Sequence, residues 1–240
     1  MDASARLSAW LKDHPQTISK VVDIDTDTDR LLKLELTSAN KELSIDILDN
    51  TDRFCAWVNQ KLADNNCRYG IGGYMELRTI YDNRTQFDTT GEERRNLHLG
   101  VDIWGDAGTP VYAPLAGTIH SFQDNDNFGD YGPTIILTHN LDGLTLYSLY
   151  GHLSRTNLVG LTVGQRIESG QQIANLGEVH ENGNWPPHLH FQLMLDMEGK
   201  AGDYFGACKK SEKDKYLQNI PDPDILLRFS NGIILTTLSS

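Results

Sequence analysis

The sequence predicts a mostly β fold, in which twisted antiparallel sheets form a groove, preceded by a small α+β extension. Short apolar runs alternate with glycine-rich turns in the second half of the chain, and lysine is absent from residues 62–199. Candidate strands are 110–123, 132–140, 144–152, 165–176 and 187–195. Such spacing is typical of a compact all-β unit. We therefore predict an N-terminal extension and lead-in over residues 1–90, and a β core with a C-terminal extension over residues 91–240.

The N-terminal extension mixes helical and strand patterns. Apolar residues recur at spacings of three and four in segments 4–13 and 52–63, which predicts two amphipathic helices. Segments 31–36 and 43–48 instead alternate leucine or isoleucine with polar residues, which predicts a β-hairpin. At the other end of the chain, the apolar residues 232–237 predict a last strand.

Composition limits the classes of function. The chain has 240 residues, 39% of them hydrophobic, and a net charge of −12. It can bury a core, but nucleic acid and anionic membrane surfaces are poor partners for so acidic a protein. No apolar run approaches the roughly 20 residues that span a bilayer. The N-terminus has no apolar core behind a basic start, so we expect no secretory signal and a cytoplasmic location. Unconventional export or a missing signal would instead place it in the periplasm or cell envelope.

The segment Pro187–Leu195 carries a pair of histidines in a strict alternation. His188, His190 and Gln192 point to one face of the predicted strand, and the intervening apolar residues point to the other. Neighbours on one face lie close enough for one histidine to bind a metal while the other reaches the metal-bound water. The same pattern also fits two surface histidines on an exposed sheet.

A second pair of polar residues lies at His98-Leu-Gly-Val-Asp102. A spacing of four places both side chains on one face of either a helix or a strand, and the glycines that follow favour a strand that runs into a turn. Imidazole and carboxylate are suitable zinc ligands. An ordinary histidine–aspartate hydrogen bond has the same spacing.

His152 ends another apolar strand, in Tyr150-Gly-His-Leu-Ser154. Two histidines and one aspartate fill three tetrahedral positions and leave the fourth for water, as in catalytic zinc sites. Two further histidines then remain for proton transfer.

His120, His139 and His180 have no partners by spacing, and we interpret them as surface or rim residues.

These motifs together resemble the lysostaphin/LytM family of zinc metallopeptidases, which are peptidoglycan endopeptidases with a hybrid-motif-like β core. That family combines His-x-x-x-Asp, a later isolated histidine and His-x-His. The likeness covers about residues 95–195, and weaker likeness extends to Tyr69–Tyr81 and Pro221–Leu227. The chain resembles a stand-alone form of the peptidase-like unit found in some aminotransferase fusions. Further sequence motifs support the resemblance, namely Gly108-Thr-Pro-Val-Tyr-Ala-Pro114, Tyr150-Gly-His-Leu153, Gly170-Gln-Gln-Ile-Ala174 and Pro187-His-Leu-His-Phe191.

The resemblance implies Zn²⁺ bound by His98, Asp102 and His190, with His188 and His152 acting as the catalytic residues on the attacking water and the oxyanion. It implies an endopeptidase that hydrolyses peptidoglycan cross-links or another short peptide. The oligomeric state is left open.

In some relatives a preceding segment blocks the site with a fourth ligand. In this sequence Glu76, Asp82 or Asn83 could supply that ligand.

Two other readings remain. A non-catalytic zinc-binding regulatory module on the same fold is the alternative function, although all five expected positions are filled. A biotinyl or lipoyl carrier shares the strand pattern, but it needs a lysine at a hairpin tip. No lysine occurs between Lys61 and Lys200, which argues against a carrier.

Overall fold

Strands dominate the fold in a computed structural model that describes residues 3–25, 28–78, 93–229 and 235–237. The helices are α1 Ala3–Asp13, α2 Ile45–Leu48, α3 Thr51–Asp64, α4 Lys213–Asn219 and α5 Asp224–Leu227. The strands are β1 Leu31–Lys33, β2 Tyr69–Gly72, β3 Arg95–His98, β4 Val101–Trp104, β5 Pro110–Tyr112, β6 Gly117–Asn125, β7 Gly132–Leu141, β8 Leu144–Gly151, β9 Arg166–Ile167, β10 Gln172–Asn175, β11 His188–Met194, β12 Ala207–Lys209 and β13 Leu235–Thr237. The mostly β prediction is confirmed.

One nine-stranded sheet organises the molecule, in the order β13-β1-β2-β4-β11-β8-β7-β6-β9. From β2 to β9 every neighbouring pair is antiparallel, as predicted, whereas β1 pairs in parallel with both β2 and β13. Two small sheets, β10–β5 and β12–β3, flank it. Strand β11 lies inside this sheet with a neighbour on each side, and all seven of its residues are buried.

The prediction of a β-hairpin from residues 31–36 and 43–48 is wrong. Strand β1 covers only residues 31–33, and its pairing edges are taken by β2 and β13. Residues 45–48 form the short helix α2. In this segment Leu48 is buried while Ile45 is 61% exposed, so packing against α3 overrides the period of two.

Both predicted amphipathic helices are confirmed. Leu7 and Leu11 of α1 belong to the largest buried apolar cluster, on one face of the sheet. Phe54 and Trp57 of α3 belong to a second cluster, which also contains Trp104 of β4. Because Trp104 and its neighbour Ile103 fall in different clusters, α1 and α3 cover opposite faces of the sheet.

The boundary after residue 90 stays a prediction. Strands on both of its sides share one sheet, because β2 pairs with β4. The predicted last strand is present as β13, while residues 230–234 lie outside the described part of the chain. Within the described part, no helix is both long and apolar enough to cross a bilayer.

Candidate metal centre

Strand β11 carries the polar row of the site at the middle of the sheet. His188, His190 and Gln192 share a face, as the alternation predicts, and all three are buried. The antiparallel register with β4 places His188 opposite Trp104 and His190 opposite Asp102. The sheet therefore brings together two motifs that are about ninety residues apart in sequence.

His98 and Asp102 do not share one strand. His98 ends β3 and Asp102 lies in β4, and these strands belong to different sheets. Gly100 lies between them, where an added Cβ would be 2.7 Å from Nε2 of His190. The absence of a side chain at this position lets the chain turn directly against the imidazole of His190.

Three atoms from these motifs converge on one point. Nε2 of His98 lies 3.0 Å from Nδ1 of His190 and 3.3 Å from Oδ1 of Asp102. Nδ1 of His190 lies 3.1 Å from the same carboxylate oxygen. All three residues are at most 3% exposed, and this trio is a group that could hold a metal ion.

Hydrogen bonds on the outer side of each ring fix the atoms that face inward. Nδ1 of His98 donates to the carbonyl oxygen of Gly73 at 2.9 Å. Nε2 of His190 lies 3.1 Å from Oε1 of Gln192, to which it donates. With those protons assigned, the three converging atoms are all electron-pair donors. Such a buried set of acceptors could hold a cation, and outer partners of this kind orient metal-ligating histidines.

His188 and His152 lie beside this trio, with ring centroids 4.1 Å apart. Nδ1 of His188 donates to the carbonyl oxygen of Pro186, and Nδ1 of His152 donates to that of Asn182, each at 2.8 Å. The Nε2 atom of each ring is then the one left for chemistry. Both rings line the cavity at the trio.

The backbone at His152 adopts a left-handed conformation with φ of 62°. This conformation is costly for a non-glycine residue and persists only when its surroundings enforce it. Here the His152 amide donates to the carbonyl of Tyr131, and its own carbonyl accepts from Gly177. Those two bonds direct the ring into the cavity at the end of β8.

Burial governs the protonation of three of these histidines. It lowers the pKa of His98 and of His188 to about 4, and it lowers that of His152 well below its usual value, helped by the neighbouring His188. Burial alone would raise the pKa of Asp102, but Arg78 and the nearby histidines hold it well below the usual range. A neutral imidazole and an ionised carboxylate are the forms that bind metal.

Arg78 is the site residue that sequence reasoning missed. Its guanidinium is 1% exposed, and Nη1 contacts Oδ2 of Asp102 while Nε donates to Oε2 of Glu76 at 3.0 Å. Glu76, one of the suggested fourth ligands, therefore pairs with Arg78. The other two, Asp82 and Asn83, lie outside the described residues. The weaker family likeness over Tyr69–Tyr81 includes Arg78, but it does not mark this residue as part of a site.

The cavity over the trio has a volume of about 170 Å³. Five of the residues that line it are aromatic, namely Trp104, Tyr131, Trp185, Tyr204 and Phe205. The hydroxyl of Tyr131 lies 3.3 Å from Nε2 of His190. Asn182 supports His152 through its carbonyl, whereas Arg155 forms surface ion pairs with Asp124 and Asp126.

His139 is a correction to the sequence-based interpretation. It was expected at the surface or rim, but it is 0% exposed and lies in strand β7. Nδ1 donates to the carbonyl of Ala116 at 2.9 Å, and Nε2 lies 2.7 Å from Oγ of Ser148. These partners on other elements satisfy both ring nitrogens, which permits burial.

Comparison with known proteins identifies relatives of this region. Residues 96–203 match Peptidase family M23. A lipoprotein NlpD/LppB homolog of Pseudomonas aeruginosa is 36% identical over 45% of this chain and 32% of its own length. The peptidoglycan DD-endopeptidase ShyC of Vibrio cholerae is 25% identical over 59% of this chain and 34% of its own length. The chain thus spans about a third of the length of these curated relatives.

Among solved structures, the catalytic domain of lysostaphin from Staphylococcus simulans is 27% identical. The match covers 67% of this chain and 97% of that one, with a TM-score of 0.40.

The predicted cytoplasmic location is wrong. One of these relatives is named a lipoprotein and another a peptidoglycan endopeptidase, and both names point to the cell envelope.

Proposed function

The chain belongs to peptidase family M23, and from that premise we propose that it is a zinc-dependent endopeptidase. Its substrate is a peptide bond in peptidoglycan cross-links or in another short peptide. The names of its relatives support action in the cell envelope.

The observation that carries this proposal is the convergence of His98, Asp102 and His190. Two imidazole nitrogens and one carboxylate oxygen match the ligand types of zinc. Catalytic zinc sites typically have three protein ligands, whereas structural sites have four and favour cysteine. None of the three cysteines belongs to this group.

When bound, zinc supplies an activated water and polarises the scissile carbonyl. His188 is placed to act as the general base. Its Nδ1 proton is held by Pro186, so Nε2 is the basic nitrogen, and that atom is 3.9 Å from Oδ2 of Asp102. A base close to the ligand set can accept the proton of the attacking water without a large movement.

His152 is assigned to the attacking water and the oxyanion. Because its Nδ1 donates to Asn182, Nε2 can accept a hydrogen bond and orient the attacking water. Once protonated, the same atom would donate to the oxyanion that develops on the carbonyl. The contact of His152 with His188, whose ring centroids are 4.1 Å apart, keeps both functions at one end of the cavity.

Metal analysis tests the metal site directly. The full chain, stripped with a chelator and then reconstituted, is expected to retain one zinc per molecule, and His98→Ala and Asp102→Ala to lose it. His120→Ala is the matched control, since His120 is hydrogen-bonded to Ser121 on β6 and does not line the cavity. Failure of the wild type to retain stoichiometric zinc would refute the site.

Peptide cleavage tests the reaction. Muropeptides, oligoglycine and other short peptides separate a cross-link hydrolase from a peptidase of small substrates. A zinc-loaded protein that cleaves none of them would support the non-catalytic module instead.

A further inference from the structure

Arg78 reaches the site from outside the segment that matches the peptidase family. Residues 75–78 run alongside β3, and three backbone hydrogen bonds tie the two together. The amide of Met75 donates to the carbonyl of His98, that of His98 to Glu76, and that of Arg78 to Asn96. The segment is thus aligned, residue by residue, with the strand that ends in His98.

The side chain of Arg78 has a defined place on the sheet. It lies against Gly72 of β2, where an added Cβ would be 2.4 Å from Nη2. Gly72 is paired with Asp102 across the β2–β4 ladder. The missing side chain at residue 72 therefore makes room for the guanidinium next to the carboxylate of Asp102.

The two oxygens of Asp102 have different partners. Oδ2 is held by Arg78, while Oδ1 faces His98 and His190 at 3.3 and 3.1 Å. A carboxylate fixed in this way presents a single oxygen to the metal position. We propose that Arg78 is a positioning residue that fixes Asp102 as a one-oxygen metal ligand, so that the N-terminal region supplies part of the metal site.

Arginine suits this role because of its shape. Nη1 contacts Asp102 while Nε donates to Glu76, so the planar group spans two carboxylates at once. Lysine is a point charge on a flexible stem and cannot hold both in fixed geometry. Replacing Arg78 by lysine keeps the positive charge but removes the planar group that contacts both carboxylates. This variant therefore separates the positioning of Asp102 from the neutralisation of its charge.

The test is the dissociation constant for zinc, measured on the full chain by competition with a chromogenic chelator. Arg78→Lys and Arg78→Met are each expected to raise it by about 10–100-fold, the usual effect of losing an outer partner of a metal ligand. Glu76→Gln leaves the contact between Arg78 and Asp102 in place, and it is expected to raise the dissociation constant for zinc less. Arg155→Lys is the matched control, because Arg155 also bridges two carboxylates but is exposed.

The outcomes are distinct. The proposal rests on the zinc site proposed above, and a wild type that binds no zinc would refute that site itself. Suppose that the wild type binds zinc and that Arg78→Lys is folded. If its dissociation constant for zinc stays within about twofold of the wild-type value, well short of the expected loss, the positioning role is refuted. An equal rise in Arg155→Lys would also refute it. Circular dichroism of the zinc-free proteins checks folding, and Arg78→Lys decides the question if Arg78→Met fails to fold.

Discussion

Trp104 stacks on His188, with ring centroids 4.0 Å apart and an angle of 18° between the planes. The two residues are a cross-strand pair on β4 and β11, so the sheet register itself creates the contact. On its other side His188 meets the ring of His152 at 4.1 Å. The imidazole is held between two rings, which fixes the direction of its Nε2 atom.

Trp104→Leu should therefore impair catalysis while leaving zinc bound. None of the proposed ligands is changed, but His188 loses the surface that orients it. Misplacement of a catalytic group by about 1 Å can cost on the order of 100-fold, so kcat/KM on a cleaved peptide is expected to fall about 10–100-fold. Zinc content and kcat/KM are the two measurements.

The matched control for that change is Trp57→Leu. Trp57 is buried in the same apolar cluster, on α3, and does not line the cavity. It should lose stability without the loss of kcat/KM. Equal losses in the two variants would mean that the effect comes from packing alone.

His188→Gln should separate chemistry from metal binding. The proposed ligands stay in place, so zinc content should be unchanged, while turnover should fall by about 10²–10⁴-fold, the usual contribution of a general base. Metal analysis and a peptide-cleavage assay on one preparation make the comparison. A zinc-loaded variant with full activity would remove His188 from the mechanism.

Gly72→Ala should weaken zinc binding without removing any polar group. Its Cβ would be 2.4 Å from Nη2 of Arg78, so the guanidinium must move from Asp102. The dissociation constant for zinc should rise, and overpacking should cost about 1–3 kcal/mol of stability. Chelator competition and urea unfolding measure the two effects.

Gly70→Ala provides the comparison on the same strand. There the added Cβ would meet Cδ1 of Leu34 at 2.6 Å, in the apolar cluster under α3. It should lower stability and leave zinc affinity unchanged. If both glycine variants change zinc affinity equally, displacement of Arg78 is not the cause.

His139 should make the stability of the protein depend on pH. Burial lowers its pKa to about 4, whereas the unfolded chain has the usual value near 6.5. Between these values the unfolded state binds more protons, so stability should fall as pH drops from about 6.5 to about 4. The contribution of this residue is up to about 3 kcal/mol and is fully present above that window.

Urea unfolding of zinc-free protein across that range provides the measurement. Burial also lowers the pKa values of His98, His152 and His188, which contribute in the same direction. The informative quantity is therefore the difference between wild type and His139→Gln. The slope for the variant should be shallower by up to about 1.4 kcal/mol per pH unit, the value for one proton. Parallel slopes would show that His139 does not titrate differently in the two states.

Local periodicity was sufficient for much of the site. Alternation along β11 placed His188, His190 and Gln192 on one face, and the observed strand has that arrangement. The two longer N-terminal helices also follow from their apolar spacing. In each case the signal is contained in fewer than about fifteen consecutive residues, and it depends only on the geometry of one element.

Other features depend on which elements meet. Alternation in residues 43–48 predicted a strand, but packing against α3 favours the helix α2 instead. His139 looked like a surface residue until partners from two other segments satisfied both of its ring nitrogens. A histidine carries no local mark of burial, because its burial is permitted only by hydrogen bonds from elsewhere in the fold.

The sequence by itself determined the residue types of the candidate site, the face on which β11 displays its polar residues, and the mostly β class. Only the tertiary structure brought Arg78 to Asp102. That contact needs the backbone pairing of residues 75–78 with β3, the β2–β4 ladder and the space left by Gly72. These are long-range relationships, and no repeat along the chain encodes them, because each depends on the positions of at least two elements at once.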